Sequence, residues 1–200
     1  MATLHYFPCI PVFAELLNQQ QILFDDSLPF QRSTFRNRTI IAGSNGMIQL
    51  SIPIIGGRSV KLPYRDIEID YKNDWQRDHF RTLCTVYGNS PFYMFYKDEL
   101  AVLFESKSTF LFEWNLLCLK WVFRKIKLDT PILFEKEFNE NDSSIFVVDR
   151  LLPSNYSDEN FSPFLKYSQV FEDKIGFKPN LSILDLLFNV GPQTKSLLLG

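Results

Sequence analysis

The chain has 200 residues, of which 46% are hydrophobic and 16% are aromatic, including 20 phenylalanines. This much apolar side chain excludes a disordered protein, because its burial offsets the entropy that folding removes. The formal net charge of −2, from 21 basic and 23 acidic residues, argues against a nucleic-acid partner, since nucleic-acid-binding proteins usually carry excess lysine and arginine.

Three cysteines, Cys9, Cys84 and Cys118, lie far apart and form no CxxC pair. This pattern predicts buried thiols in a reducing compartment, and no disulfide framework or metal site. The first residues lack the basic region and long apolar core of a signal peptide. The most apolar stretch, residues 110–126, is interrupted by charged residues, which argues against a membrane span. We therefore expect a soluble protein in the cytoplasm.

Short apolar runs predict strands near the start of the chain. Residues 4–10 form one such run, which contains Pro8, and residues 21–24 form a second. Pro11 can occupy the first turn of a helix, which then continues to residue 17.

The clearest turn signal is Asn45-Gly46, because both residues of this pair accept the positive φ of a tight hairpin turn. Residues 38–42 and 47–54 flank it, so a β-hairpin is expected near residues 38–54. Alternating apolar and acidic residues predict a further half-exposed strand at 67–71.

Three helices are expected over residues 73–126. Asn73 and Gln76 have the spacing of a capping box for the first helix, and Ser90 is the expected N-cap of the second. Residues 110–126 are apolar nearly all round, which is typical of a central, buried helix.

The last part of the chain contains both apolar and polar segments. Residues 131–134 and 145–152 are predicted strands, whereas residues 135–163 otherwise form a polar surface segment. Ser182 and Asp185 predict a capping box for a C-terminal helix that ends near residue 189. The carboxylate of Asp185 is therefore expected to stabilise a helix terminus rather than to act in catalysis.

Together these elements predict an α/β (or α+β) fold. We expect residues 1–200 to form a single compact domain with a mixed sheet, a helix cluster over 73–126 and a C-terminal helix.

The densest polar pattern lies at residues 31–38, where Gln31, Arg36, Asn37 and Arg38 stand close together with Arg32. Arginine binds phosphate and carboxylate groups bidentately, so the pattern indicates an anion-binding clamp. The alternative is a set of solvated arginines beside a hairpin.

Trp75 and His79 are four residues apart in a predicted helix and therefore share one face. Histidine transfers protons near neutral pH, which makes His79 a candidate general base, and Trp75 a candidate wall of its pocket. The alternative is a helix face packed on the sheet, with a hydrogen-bonded histidine at its edge.

Two weaker patterns involve the first strands. His5 and Cys9 have the chemistry of a nucleophile and its base, but cysteine and histidine often occur together by chance. Asp25 and Asp26 follow an apolar strand, where carboxylates hold metals or sugar hydroxyls, or simply cap turns. The HExxH, GxSxG, GxGxxG and P-loop patterns do not occur, so no cofactor is assigned.

Several segments resemble the WbqC-like protein family, in the same order and along nearly the whole chain. They are Tyr6-Phe7-Pro8 with Pro11-Val12-Phe13, Gln31 to Arg38, Trp75 to His79 with Tyr87 and Pro91-Phe92, and Gly176-Phe177 with Leu181 to Asn189 and Gly191-Pro192. The Arg36-Asn37-Arg38 triplet and the C-terminal segment are the most specific of these.

The resemblance implies a role in the biosynthesis of O-antigen or another surface polysaccharide, with acyl or aminoacyl transfer onto an amino sugar as a reaction consistent with that context. The partner would be a small sugar or an activated donor. Arg36 and Arg38 would then hold the anionic part of the donor, Asn37 would orient it, and His79 would be the general base. Gln31, Trp75 and Asp26 complete the expected substrate-binding set. A noncatalytic sugar-binding or scaffold protein of the same pathway is the alternative.

Overall fold

The computed structural model describes residues 3–56, 61–134, 152–155 and 165–199. The expected strand at 145–152 and most of the polar segment at 135–163 lie outside these residues. The elements within them are α1 (Ile10–Leu17), β1 (Ile22–Phe24), β2 (Arg38–Gly43), β3 (Gly46–Ser51), α2 (Trp75–Tyr87), α3 (Tyr93–Glu105), α4 (Leu111–Lys125), β4 (Ile132–Phe134), α5 (Glu172–Ile175), α6 (Ile183–Val190) and α7 (Thr194–Leu199).

The strands form one parallel and one antiparallel pair. β1 runs parallel to β4, and β2 runs antiparallel to β3 with Arg38 opposite Ser51. The tight turn places Gly46 at a φ of 126°, a conformation that suits glycine. The mixed α/β fold and the hairpin are thus confirmed, although the two strand pairs are separate sheets.

Two of the expected strands are wrong. Residues 4–10 contain only an isolated bridge from Cys9 to Ser182, because the chain turns at Phe7, whose φ is 42°. Residues 67–71 likewise contribute isolated bridges, from Ile69 to Ile54 and from Glu68 to Phe110. The apolar run at 4–10 reflects burial throughout, and the alternation at 67–71 reflects burial on one side, but among the described residues no neighbouring strand extends either ladder.

Helices α1, α2, α3, α4 and α6 lie where helices were expected, but some of their caps differ; α5 and α7 were not predicted. Asp74, and not Asn73, caps α2, and its side chain accepts a hydrogen bond from the backbone N–H of Arg77. Ser90 does not cap α3, because its hydroxyl donates to the Tyr87 carbonyl and the helix begins three residues later. Ser182 does cap α6, as predicted.

The capping box expected at α6 is wrong in its second member. The carboxylate of Asp185 is only 1% exposed and accepts hydrogen bonds from the hydroxyls of Tyr87, at 2.7 Å, and Tyr167, at 2.5 Å. Burial therefore directs this side chain into the core and away from the N-terminus of its helix.

Most of the aromatic side chains are in one core, around the buried helix α4. Trp114 and Trp121 are fully buried on this helix, and the Trp114 ring packs edge-on against Trp75 at 5.3 Å. Phe95 on α3 is an exception, with an exposed fraction of 77%. Within the described ranges, no helix is both long enough and apolar enough to traverse a bilayer.

Candidate anion-binding site

A cleft of about 560 Å³ lies where the chain enters β2 and leaves β3. We call it the Arg38 cleft; its lining residues are Phe30, Arg32, Ser33, Asn37, Arg38, Ile52, Pro53 and Ile54. Its volume is within the range of small-molecule sites. Two guanidinium groups and no carboxylate are among these residues, so the cleft favours an anionic ligand.

The hairpin fixes the position of this cleft. The backbone N–H of Ile52 donates to the Asn37 carbonyl at 2.8 Å, and the Asn37 side-chain amide donates to the Ile52 carbonyl at 2.9 Å. These two bonds extend the ladder by one residue beyond the Arg38–Ser51 pair. Ser33, which also lines the cleft, adopts a φ of 57° in the turn that precedes β2.

Among the side chains that line the cleft, Arg38 is the one best placed to donate hydrogen bonds to a ligand. Its Nε atom is buried and has no hydrogen-bond partner, and no ion pair reaches its guanidinium from any residue that the structure describes. A buried donor without an acceptor costs free energy. A phosphate or carboxylate oxygen in the cleft would supply the missing acceptor.

Arg36 lies in a different environment from Arg38. It is only 2% exposed, its Nη1 donates to the Pro29 carbonyl at 2.8 Å, and its guanidinium carbon lies 5.3 Å from the centre of the Tyr64 ring. Its own carbonyl accepts a hydrogen bond from the Asn115 amide. These are the contacts of a core residue, and Arg36 does not line the Arg38 cleft.

His79 is 7% exposed and packs on the inner face of α2. Its Nδ1 lies 3.0 Å from the Tyr6 hydroxyl, and the ring also hydrogen-bonds to the backbone of Ser51. Burial lowers the pKa of His79 to about 4, against the smaller opposing effect of the Ser51 bond. The imidazole is therefore neutral at neutral pH, and Trp75 packs edge-on against it at 5.2 Å.

The sequence-based candidates thus fall into two groups. Asn37 and Arg38 come together in the cleft, joined there by Arg32 and Ser33 from the same eight-residue pattern. The others lie outside the lining; they are Gln31, Asp26, Arg36, Trp75 and His79. His79 contacts Ser51, which pairs with Arg38, so one strand connects the histidine to the cleft.

The remaining carboxylates of the first strands serve local structure. Asp25 is buried and accepts hydrogen bonds from the backbone N–H and the hydroxyl of Ser27, as a turn-capping aspartate does. Asp26 forms an ion pair with Arg65 at 3.5 Å.

Cys9 is also unlike an activated nucleophile. Burial raises the pKa of its thiol to about 12, which opposes formation of the thiolate. In the part of the chain that the structure covers, no three acidic, histidine or cysteine side chains are grouped so as to share a metal ion.

Sequence reasoning did not single out the Asp185 network. Burial raises the pKa of this carboxyl to about 6, although the hydrogen bonds from Tyr167 and Tyr87 act in the opposite direction. Tyr167 lies 18 residues and Tyr87 lies 98 residues from Asp185 in sequence, so no local pattern predicts the cluster.

Comparison with known proteins agrees with the resemblance in the sequence. Residues 4–157 match the model of the WbqC-like protein family. The chain is also 24% identical over 216 residues to the uncharacterized protein Rv1507c of Mycobacterium tuberculosis, which covers 94% of this chain and 92% of that protein. No solved structure matches the chain.

Proposed function

Because the chain belongs to the WbqC-like protein family, we propose that it acts in glycan biosynthesis in the cytoplasm and binds the anionic part of an activated donor in the Arg38 cleft. The observation that carries this proposal is the buried Nε of Arg38, which has no acceptor among the described residues and lies in a cleft lined by two arginines and no carboxylate. The family name alone leaves the ligand open.

The chemistry of the cleft suits several donors equally well. Nucleotide sugars and acyl-coenzyme A carry phosphates, and aminoacyl donors and free amino acids carry carboxyl-derived groups, all of which accept hydrogen bonds from a guanidinium. We propose transfer of an acyl or aminoacyl group onto an amino sugar as the reaction. The unprotonated amine forms a C–N bond to the acyl carbon as the C–S or C–O bond of the activated donor breaks, and the released thiol or alcohol takes up the proton that the amine loses. Asn37 contributes less to ligand binding than its place in the Arg36-Asn37-Arg38 triplet suggested, because its amide N–H already donates to the Ile52 carbonyl.

In this proposal His79 is a positioning residue. Its Nδ1 is already hydrogen-bonded to the Tyr6 hydroxyl, and its ring also bonds to the backbone of Ser51, the residue that pairs with Arg38. A role as general base would require the ring to leave Tyr6 and reach the acceptor. Loss of His79 is therefore expected to reduce donor affinity indirectly and to leave residual turnover.

A noncatalytic sugar-binding protein is the second candidate. It is favoured by one observation, which is that neither a histidine nor a carboxylate is among the residues that line the Arg38 cleft. Incubation with donor and amino-sugar acceptor separates the two candidates. A transferase consumes both ligands over many turnovers, whereas a binding protein retains them unchanged.

The first test is ligand-induced thermal stabilisation with UDP-N-acetylglucosamine, acetyl-coenzyme A and free glycine. A ligand that binds the native state raises the midpoint by mass action, and even weak binding is visible at many times the dissociation constant. We expect at least one phosphate-bearing ligand to stabilise the protein. We expect Arg38→Ala to abolish that shift.

The matched control is Arg81→Ala, which removes an exposed arginine from α2, outside the Arg38 cleft. It should keep the full thermal shift. If no anionic ligand shifts the midpoint, or if Arg38→Ala responds like the unmodified protein, the anion-binding proposal is wrong.

A further inference from the structure

A second cleft, of about 490 Å³, lies between the beginning of α2 and the end of α3. We call it the α2–α3 cleft. Three aromatic side chains, Tyr71, Phe80 and Phe104, provide its apolar surface. Aromatic surface of this kind accommodates the apolar face of a compact ring.

Charged groups surround the aromatic surface without neutralising one another. Asp74 and Glu105 contribute carboxylates, and Arg77 and Lys107 contribute cations. Within the described residues, no ion pair joins any of the four. The Lys107 ammonium instead lies 5.7 Å from the centre of the Tyr71 ring. The Glu105 carboxylate and the Asp74 oxygen that does not cap α2 can therefore accept from a ligand.

Gln76 provides the cleft with a hydrogen-bond acceptor in a fixed position. This side chain lines the cleft and is only 6% exposed. Its Nε2 donates to the Ser106 carbonyl at 2.6 Å, which fixes the amide, whereas Oε1 has no partner among the residues described. This oxygen is not among the fully buried unpaired polar atoms, so it is accessible from the cleft and can accept a hydrogen bond from a ligand.

Two carboxylates and a fixed amide oxygen, set beside aromatic rings, are acceptors for the ammonium and hydroxyl groups of a ring compound. We propose that the α2–α3 cleft binds an amino sugar in its protonated form. The sugar ring packs on the aromatic side chains, the ammonium pairs with Asp74 or Glu105, and a hydroxyl or ammonium N–H donates to Gln76 Oε1.

The two clefts are connected through one backbone contact. The backbone N–H of Asp70 donates to the Pro53 carbonyl at 2.9 Å. Pro53 lines the Arg38 cleft, and Tyr71, next to Asp70, lines the α2–α3 cleft. The assignment of the second cleft to the acceptor of a transfer reaction rests on the proposed function; binding of the amino sugar does not.

The test is an NMR chemical-shift titration of the whole protein with glucosamine, glucose and N-acetylglucosamine. We expect glucosamine to bind about tenfold more tightly than the two uncharged sugars, as the loss of one charge-assisted hydrogen bond predicts. Resonances of α2 and α3 should shift.

Two variants identify which carboxylate binds the ammonium group of glucosamine. Glu105→Gln and Asp74→Asn each remove a charge while keeping the shape, and asparagine preserves the N-cap of α2. At least one of them should weaken glucosamine binding about tenfold. Asp98→Asn, an exposed change on α3 outside the cleft, should have no effect.

Several outcomes would overturn the inference: no binding of glucosamine, equal binding of glucose, or unchanged affinity in both carboxylate variants. Arg38→Ala separates this inference from the proposed function. It should bind glucosamine normally. A protein that binds no anionic donor but does bind glucosamine would contradict only the proposed anion site, and one that binds the donor but not glucosamine would contradict only the amino-sugar site.

Discussion

The hydroxyl of Tyr6 lies 3.0 Å from Nδ1 of His79, although the two residues are 73 positions apart in sequence. This hydrogen bond ties the irregular N-terminal segment to α2, and the second bond of the imidazole ties α2 to Ser51 on β3. Three segments, of which only β3 adjoins the Arg38 cleft, thus meet at one neutral histidine.

Tyr6→Phe should destabilise the protein by about 1–3 kcal/mol, because it leaves the buried Nδ1 of His79 without its donor. Chemical denaturation at neutral pH measures the free energy of unfolding. Tyr96→Phe is the control, since the Tyr96 hydroxyl makes no hydrogen bond within the described residues. Equal stability of the two variants would show that the Tyr6–His79 bond contributes nothing.

His79→Gln should change the pH dependence of stability. The pKa of His79 falls from 6.5 to about 4 on folding, so the unfolded chain binds this proton more readily between those values. Its contribution is present above pH 6.5 and is lost as the pH falls through 4, by up to about 3 kcal/mol. The variant should therefore lose less stability than the unmodified protein on acidification, as denaturation at several pH values would show. Parallel pH profiles would contradict this assignment.

Asp185→Asn should also change the pH dependence of stability, but here the unmodified protein loses stability as the pH rises. The pKa of Asp185 rises from 3.8 to about 6 on folding, so its contribution is fully present below pH 3.8 and is lost as the pH rises through 6. Relative to the unmodified protein, the variant should gain up to about 3 kcal/mol between pH 4 and pH 7. The same denaturation series measures this gain, and a constant difference between the two proteins would exclude a raised carboxyl pKa. In the unmodified protein, the pH-dependent contributions of His79 and Asp185 to stability partly cancel, because one increases and the other decreases as the pH rises from 4 to 6.

Arg36→Ala and Arg38→Ala should differ in their effect on the free energy of unfolding. Loss of Arg36 removes a buried guanidinium that binds Pro29 and packs on Tyr64, and should destabilise the fold by about 2–4 kcal/mol. Loss of Arg38 removes a side chain without a partner in the described structure, and should change stability by less than about 1 kcal/mol. Thermal and chemical denaturation without ligand test both; equal destabilisation would mean that Arg38 is also structural.

Local signals predicted the elements well where they depended on neighbouring residues. The Asn45-Gly46 turn, the apolar helix around Trp114 and the Ser182 cap depend on spacing alone, and the structure contains all three. Alternation at 67–71 failed because a strand also needs a partner, which is a property of the tertiary fold.

The candidate site was predictable only in outline. The arginine-rich pattern at 31–38 drew attention to the correct segment, but Arg36 lies in the turn before β2 and is buried in the core, whereas Arg38 begins β2 and lines the cleft. Nothing in the spacing distinguishes the two. The partners of Gln76 and Asp185 come from distant segments, so their burial could not be read from the sequence.

The central claim is that Arg38 binds an anionic donor. Isothermal titration calorimetry with the ligand that gives the largest thermal shift tests it most directly, in the unmodified protein, Arg38→Ala and Arg81→Ala. The account predicts that Arg38→Ala weakens binding by about tenfold or more, as loss of a charge-assisted contact requires, while Arg81→Ala binds normally. Equal affinity in all three proteins would contradict it.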